Sequence, residues 1–101
     1  MKETLESLSK TSYRPAFRQQ FRDLETPVQE AVAEAINDLI THYRTHPWDH
    51  PHVKFIPNQG DIWRLKVGQR GQTVDHRVFF DIDDSGLIFL AVYHRDDAYT
   101  A

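Results

Sequence analysis

The hydrophobic pattern of the chain changes its period once, between His46 and Val53. Before this point apolar residues recur every three or four positions, and after it they alternate with polar residues. Helical segments followed by strands are typical of an α+β fold. With 101 residues, 40% of them hydrophobic, the chain fits one domain over residues 1–101, in which residues 1–12 form a polar N-terminal extension.

Two amphipathic helices are predicted in the first half of the chain. Over residues 13–24 the apolar side chains fall on one helical face and the arginines on another. The second helix is predicted to begin with Thr26 as its N-cap, Pro27 as its first residue and Gln29 in a capping box, and to end before Pro47. The short connection between the two predicts a helical hairpin. No strand is recognised before it.

Four strands are predicted in the second half. They cover residues 53–56, 62–67, 74–82 and 87–93, separated by turn-forming residues. The last of them is apolar at every position, which indicates an inner strand. The predicted fold class is therefore α+β, with an N-terminal helical hairpin packed on a small antiparallel sheet.

Strand pleating determines where the cations of these strands lie. If the apolar positions pack on the helices, the intervening cations share the opposite face. These cations are Lys54, Arg64, Lys66 and Arg77. The chain as a whole has 12 Lys and Arg against 15 Asp and Glu, a net charge of -3, which is unlike a generic nucleic-acid-binding protein. A positive surface must therefore be made by folding.

The sequence excludes cysteine-based sites and argues against secretion and membrane insertion. Cysteine is absent, which excludes disulfides and thiolate metal sites. The N-terminus lacks the apolar stretch of a secretory signal, and the run over residues 87–93 is too short to span a bilayer. We therefore expect a cytoplasmic protein without membrane contact.

A group of histidines lies between the helical and the alternating segments. Its members are His42, His46, His50 and His52. The segment has only Asp49 as a carboxylate and no Cys, whereas metal sites usually show tighter ligand sets with supporting groups. We expect a helix end followed by a rigid loop, and neither a metal nor another cofactor.

Three ordered motifs resemble those of the RelE/ParE superfamily of bacterial toxin–antitoxin toxins. They are Trp63-Arg64-Leu65-Lys66-Val67-Gly68, His76-Arg77-Val78-Phe79-Phe80 and the segment from Tyr93-His94-Arg95 to Tyr99. With the two helices before them, they extend the resemblance over roughly residues 13–99. The resemblance implies a helical hairpin on an antiparallel sheet, and a type II toxin with a cognate antitoxin as its partner.

RelE-type members of this superfamily are ribosome-dependent mRNA endonucleases, and the resemblance implies the same activity here. In such a metal-independent endoribonuclease the substrate 2′-OH attacks the adjacent phosphate, so the protein positions the strand and stabilises charge. The catalytic residues would be Lys66, Arg77, His94, Arg95 and Tyr99. The RNA-binding residues would be Lys54, Arg64, Lys66, Arg70 and Phe79. Arg77 would stabilise the phosphorane, and His94 would titrate near neutrality.

Other interpretations remain open. A ParE-like protein would bind DNA gyrase without any catalytic set, and a non-toxic binding module would keep only the fold and a partner. The cations could also be ordinary surface positions neutralised by Asp61, Asp75 and Asp81, and Phe79 could be buried. In every toxin interpretation, an antitoxin would wrap an acidic, partly disordered segment around the sheet and helices.

Overall fold

A computed structural model of the chain describes residues 11–57, 60–84 and 86–98. Its elements, in chain order, are β1 (Thr11–Tyr13), α1 (Pro15–Arg22), α2 (Thr26–Tyr43), a 3₁₀ turn (Pro47–Asp49), β2 (Val53–Ile56), β3 (Ile62–Gly68), β4 (Asp75–Asp83), β5 (Gly86–His94) and α3 (Arg95–Ala98). The strands form one sheet in the order β1-β5-β4-β3-β2. The predicted α+β class is confirmed. Within these described ranges, no helix is long and apolar enough to cross a membrane.

Strand β1 was missed by the sequence analysis. It runs parallel to β5, and the backbone N–H of Arg14 donates to the carbonyl of Phe89 at 2.9 Å. Helix α1 therefore starts at Pro15, and Tyr13 is a strand residue. Three residues are too few for alternation to be recognised, so the prediction that no strand precedes the first helix was wrong. Residues 1–10 of the predicted extension lie outside the described residues.

Helix α2 has a different start from the one predicted. Its N-cap is Glu25, in an extended conformation and without a side-chain cap bond, so the predicted capping box of Thr26 was wrong. The Gln29 side chain instead donates to the carbonyl of Phe21 at 2.8 Å, which ties α2 to the end of α1. The hairpin is thus held by a contact between the helices.

Both helices pack on one face of the sheet and form a single core with it. The core residues are Phe17, Val28, Val32, Ile36, Leu39, Leu65, Val67, Val78, Phe80, Leu87, Phe89 and Val92. A bulge in β5 makes this possible, because Phe79 pairs with Ala91 while Phe80 pairs with Phe89. The additional residue, Leu90, changes the alternation of the strand. Strand β5 therefore directs apolar side chains to the helices on both sides of the bulge.

His50 fixes the loop that leads into β2. Its buried imidazole Nε2 lies 3.0 Å from Asp38 Oδ2, and its Nδ1 accepts the backbone N–H of His52 at 3.0 Å. Because Nδ1 is an acceptor, Nε2 carries the proton and donates to Asp38. Across residues 11–57, 60–84 and 86–98, no three His, Asp or Glu side chains are grouped as metal ligands. The structure thus places a helix end and a fixed loop where the sequence predicted them.

Candidate functional site

The strand register gathers the predicted cations on one face of the sheet. Lys54 lies directly opposite Arg64, and Lys66 lies directly opposite Arg77. Side chains that are directly opposite on neighbouring strands point to the same side. Leu65 is fully buried against the helices, so its neighbours in β3 point away from them. We call the side of the sheet that carries these four cations the cationic face.

Arg77 is neutralised within this face by a carboxylate of its own strand. The Arg77 side chain is 6% exposed and that of Asp75 is 5% exposed. Nη1 of Arg77 donates to Oδ1 of Asp75 at 3.0 Å and to the carbonyl of His76 at 2.9 Å. The guanidinium predicted to stabilise a phosphorane is therefore already bound and largely shielded from solvent.

Asp75 is held as an anion by groups on three elements. Burial raises the pKa of Asp75, but the Gly71 N–H, 3.2 Å from Oδ2, and the Arg77 guanidinium outweigh this effect. Arg95 adds a further electrostatic contribution, and the pKa of Asp75 falls below its ordinary value of 3.8. One of the interpretations left open by the sequence was that Asp75 neutralises a strand cation. The structure shows this pairing for Arg77.

His94 lies on the other side of the sheet. It is paired across the strands with His76, which is in turn paired with the core residue Val67. The Nδ1 of His94 accepts the backbone N–H of Asp96 at 3.2 Å. The imidazole of His94 therefore faces the helix side. The predicted catalytic set requires His94 and Arg77 on the same side of the sheet, and the structure places them on opposite sides.

His76 is a buried titratable residue that the sequence analysis named only as part of a strand motif. Its ring lies 5.2 Å from that of His94, and its Nδ1 accepts the N–H of Asp75 at 3.2 Å. Burial lowers the pKa of His76, and electrostatic interaction with His94 and Arg77 lowers it further, against an opposing effect of Asp75. The alternation of apolar and polar residues did not predict the burial of His76, because burial at a strand end depends on neighbouring elements.

Stability is expected to fall as the pH drops below about 6.5, the ordinary pKa of histidine. The unfolded chain then binds a proton at His76 before the folded chain does, so protonation favours unfolding. The destabilising effect of His76 is absent at pH values above the pKa that His76 has in the unfolded chain. It grows as the pH falls toward the lower pKa that His76 has in the folded chain. Urea unfolding between pH 8 and pH 5 measures it. His76→Gln should reduce the slope, whereas exposed His52→Gln should not; equal slopes in all three proteins would contradict the assignment.

The other predicted site residues differ in their exposure to solvent. Arg95 begins α3, is 36% exposed, and lies near enough to Asp75 to influence it. Arg70 is exposed in the loop between β3 and β4. Phe79 points to the cationic face but is buried, with its ring 6.3 Å from that of Tyr93, so it offers no exposed ring for base stacking. Tyr99 lies outside the described residues.

The cationic face therefore combines an accessible part and a closed part. Lys54 is exposed, and Arg64 and Lys66 are half-buried beside it. Arg77, on strand β4, is buried in an ion pair with Asp75. The face can attract an acidic partner electrostatically. Among the described residues of the predicted catalytic set, Arg77 and His94 lie on opposite sides of the sheet.

Comparison with known proteins agrees with this architecture. The model of the family described as the ParE toxin of the type II toxin-antitoxin system, parDE, matches residues 12–99. Among solved structures, the chain is similar to the RelB–RelE antitoxin–toxin complex from Methanococcus jannaschii. The identity is 15%, 86% of this chain and 93% of that chain are covered, and the TM-score is 0.63, a likeness of fold. No curated protein matches the chain.

Proposed function

Because the chain belongs to the ParE toxin family of type II toxin–antitoxin systems, we propose that it inhibits growth by binding DNA gyrase and not by cleaving RNA. The family assignment confirms the resemblance to the RelE/ParE superfamily that the strand motifs indicated. One observation carries the choice of target: the Arg77 guanidinium is buried against Asp75.

Cleavage of RNA by its own 2′-OH makes specific demands on a protein. A cation must face the phosphorane, and groups that transfer protons must lie within hydrogen-bonding reach of the same phosphate. Here a phosphate would first have to displace the Asp75 carboxylate from Arg77, and His94 points to the other side of the sheet. Binding to a protein target requires no such convergence. The net charge of -3 also favours a protein target over the ribosome.

We include a cognate antitoxin in the proposal. The solved relative is an antitoxin–toxin complex, and the cationic face suits an acidic segment of such a partner. Lys54, Arg64 and Lys66 form the accessible part of this face. The partner would thus be recruited by charge and would cover the face in the inactive complex. Gyrase and a newly made antitoxin both meet the toxin in the cytoplasm, which is the location we propose.

Supercoiling of relaxed plasmid by purified gyrase tests the proposal. We expect micromolar toxin to inhibit supercoiling, and we expect primer extension on mRNA from arrested cells to show no toxin-dependent cleavage. Lys66→Gln removes a member of the predicted catalytic set while leaving the core intact, so growth arrest should persist in that variant. Cleavage of translated mRNA together with unaffected supercoiling would contradict the proposal.

A ribosome-dependent mRNA endonuclease is the second candidate. The observation in its favour is the alignment of Lys54, Arg64 and Lys66 beside Arg77 on one face. For this activity Lys66 would act as a proton carrier, and Lys66→Gln should reduce cleavage by about 10²–10⁴-fold, the usual contribution of a positioned general acid or base. The same variant therefore separates the two candidates.

A further inference from the structure

A cavity lies between helices α1 and α2, on the helix side of the sheet and away from the cationic face. Its volume is about 520 Å³, and its apolar lining includes Phe17 and Phe21 of α1 and Ile36 and Ile40 of α2. Phe17 and Ile36 are buried core residues, whereas Phe21 and Ile40 are half-buried beside them. Ala33, which also lines the cavity, is exposed. This hairpin cavity therefore has a floor continuous with the core and a mouth that borders solvent.

The dimensions of the hairpin cavity suit a small ligand. Sites for small molecules commonly have volumes of about 300–1,000 Å³ and combine an apolar lining with a few polar groups. Ala33 and Ile40 both line the cavity, and the helix between them rises by about 10 Å at 1.5 Å per residue. The space therefore fits an elongated apolar group.

Two exposed arginines of α1, Arg18 and Arg22, line the same cavity. Within the described ranges, neither of them forms an ion pair with a carboxylate. Nε of Arg18 donates to the carbonyl of Tyr13 at 3.3 Å, and Nη2 of Arg22 donates to Oε1 of Gln19 at 3.0 Å. The carboxylate of Asp23, on the same helix, accepts from Gln19 instead. The apolar cavity therefore has two positive charges at its mouth that no carboxylate neutralises.

We propose that the hairpin cavity binds a small amphipathic anion, a carboxylate with an apolar chain of medium length. The chain would lie against Phe17, Phe21 and Ile36, where its burial removes apolar surface from water. Arg18 and Arg22 would bind the carboxylate at the mouth, since guanidinium groups are suited to carboxylate oxygens. This inference goes beyond the proposed function, because the cavity shares no residue with the cationic face.

Calorimetric titration of the full chain with hexanoate, octanoate and decanoate tests the proposal. Each buried methylene strengthens binding by about fourfold, so the affinity should rise with chain length until the cavity is filled. Octanol has the chain length of octanoate without its charge and should bind about 5–10-fold more weakly than octanoate. Absence of binding, equal affinity for the three acids, or equal affinity for octanol and octanoate would overturn the proposal.

Surface variants separate the role of charge from that of the apolar lining. Arg18→Gln/Arg22→Gln should bind octanoate about 5–10-fold more weakly and octanol as wild type does. Arg14→Gln removes an exposed arginine outside the cavity and is the matched control, which should bind both ligands as wild type does. Ala33→Phe fills the cavity from an exposed position and should abolish binding, while circular dichroism checks that the fold is kept.

Amide NMR of the complex locates the ligand. Octanoate should shift the signals of Phe21 and Ile40, which line the cavity, and leave those of Lys54 and Lys66 on the cationic face unchanged. Shifts centred on Lys54 and Lys66 would overturn the proposal. So would wild-type affinity for octanoate in Arg18→Gln/Arg22→Gln or in folded Ala33→Phe.

Discussion

Phe80→Ala is expected to lower the free energy of unfolding by about 3–5 kcal/mol, the usual cost of truncating a buried phenylalanine. Phe80 is fully buried in β4, faces the helices, and has its ring centroid 5.7 Å from that of Phe89. A domain of this size is stable by only about 5–15 kcal/mol, so the change removes a large share of the total. The melting temperature should fall by roughly 12 °C or more.

Phe55→Ala is the matched control for this prediction. Phe55 is 40% exposed on the edge strand β2, and its ring centroid lies 5.0 Å from that of Trp63. Loss of such a cross-strand pair costs about 1 kcal/mol or less. Urea unfolding of both variants makes the comparison. Similar losses of stability in the two variants would show that the core is not where the structure places it.

Gly68→Ala is expected to prevent native closure of the loop between β3 and β4. Gly68 has a φ of +85°, and a Cβ there would lie 1.8 Å from the carbonyl oxygen of Val74 and 2.4 Å from its carbonyl carbon. Both are backbone atoms, so no side-chain rotation relieves the clash. The same oxygen accepts the N–H of Gln69 at 3.0 Å, which means that any shift also breaks the hydrogen bond that closes the loop.

The damage from Gly68→Ala should extend to the candidate site. Gly68 is the cross-strand partner of Asp75, so displacement of the loop moves the carboxylate that holds Arg77. Gly71→Ala is the control, since its φ of +78° costs about 1–2 kcal/mol but its Cβ meets no atom within 4 Å. Near-ultraviolet circular dichroism and urea unfolding measure both variants. Equal effects would contradict the close approach at Gly68.

The period of the hydrophobic pattern was sufficient to predict most of the sheet. Strand β2 was predicted with its observed bounds, and β3 and β4 within one residue at each end. The shared side of Lys54, Arg64, Lys66 and Arg77 also followed from alternation, because the register keeps their apolar neighbours on the helices. These features depend on local pattern alone.

The features that were missed depend on contacts between distant segments. Strand β1 has three residues and exists because β5 offers it a parallel partner. The bulge at Leu90 is required by packing on the helices and has no local signal in an apolar run. Likewise, the sequence placed Asp75 and Arg77 on one face, but their burial and pairing follow from the elements around them.

The proposed function depends on the state of the Arg77 guanidinium, which is buried against Asp75. Alternation gathers positive charge on one face, and the chain then neutralises the innermost cation with its own carboxylate. The accessible remainder is suited to an acidic protein partner. A toxin with this arrangement has a positive surface despite a net charge of -3.

Nitrogen-15 NMR of the arginine side chains measures this state directly at neutral pH. We expect separate Nη resonances for Arg77, with N–H protons that exchange slowly with water and a cross-peak to Asp75. Exposed Arg70 is the internal reference and should show averaged, rapidly exchanging signals. If the Arg77 signals are averaged and exchange as fast as those of Arg70, the guanidinium is free, and its buried pairing with Asp75 is wrong.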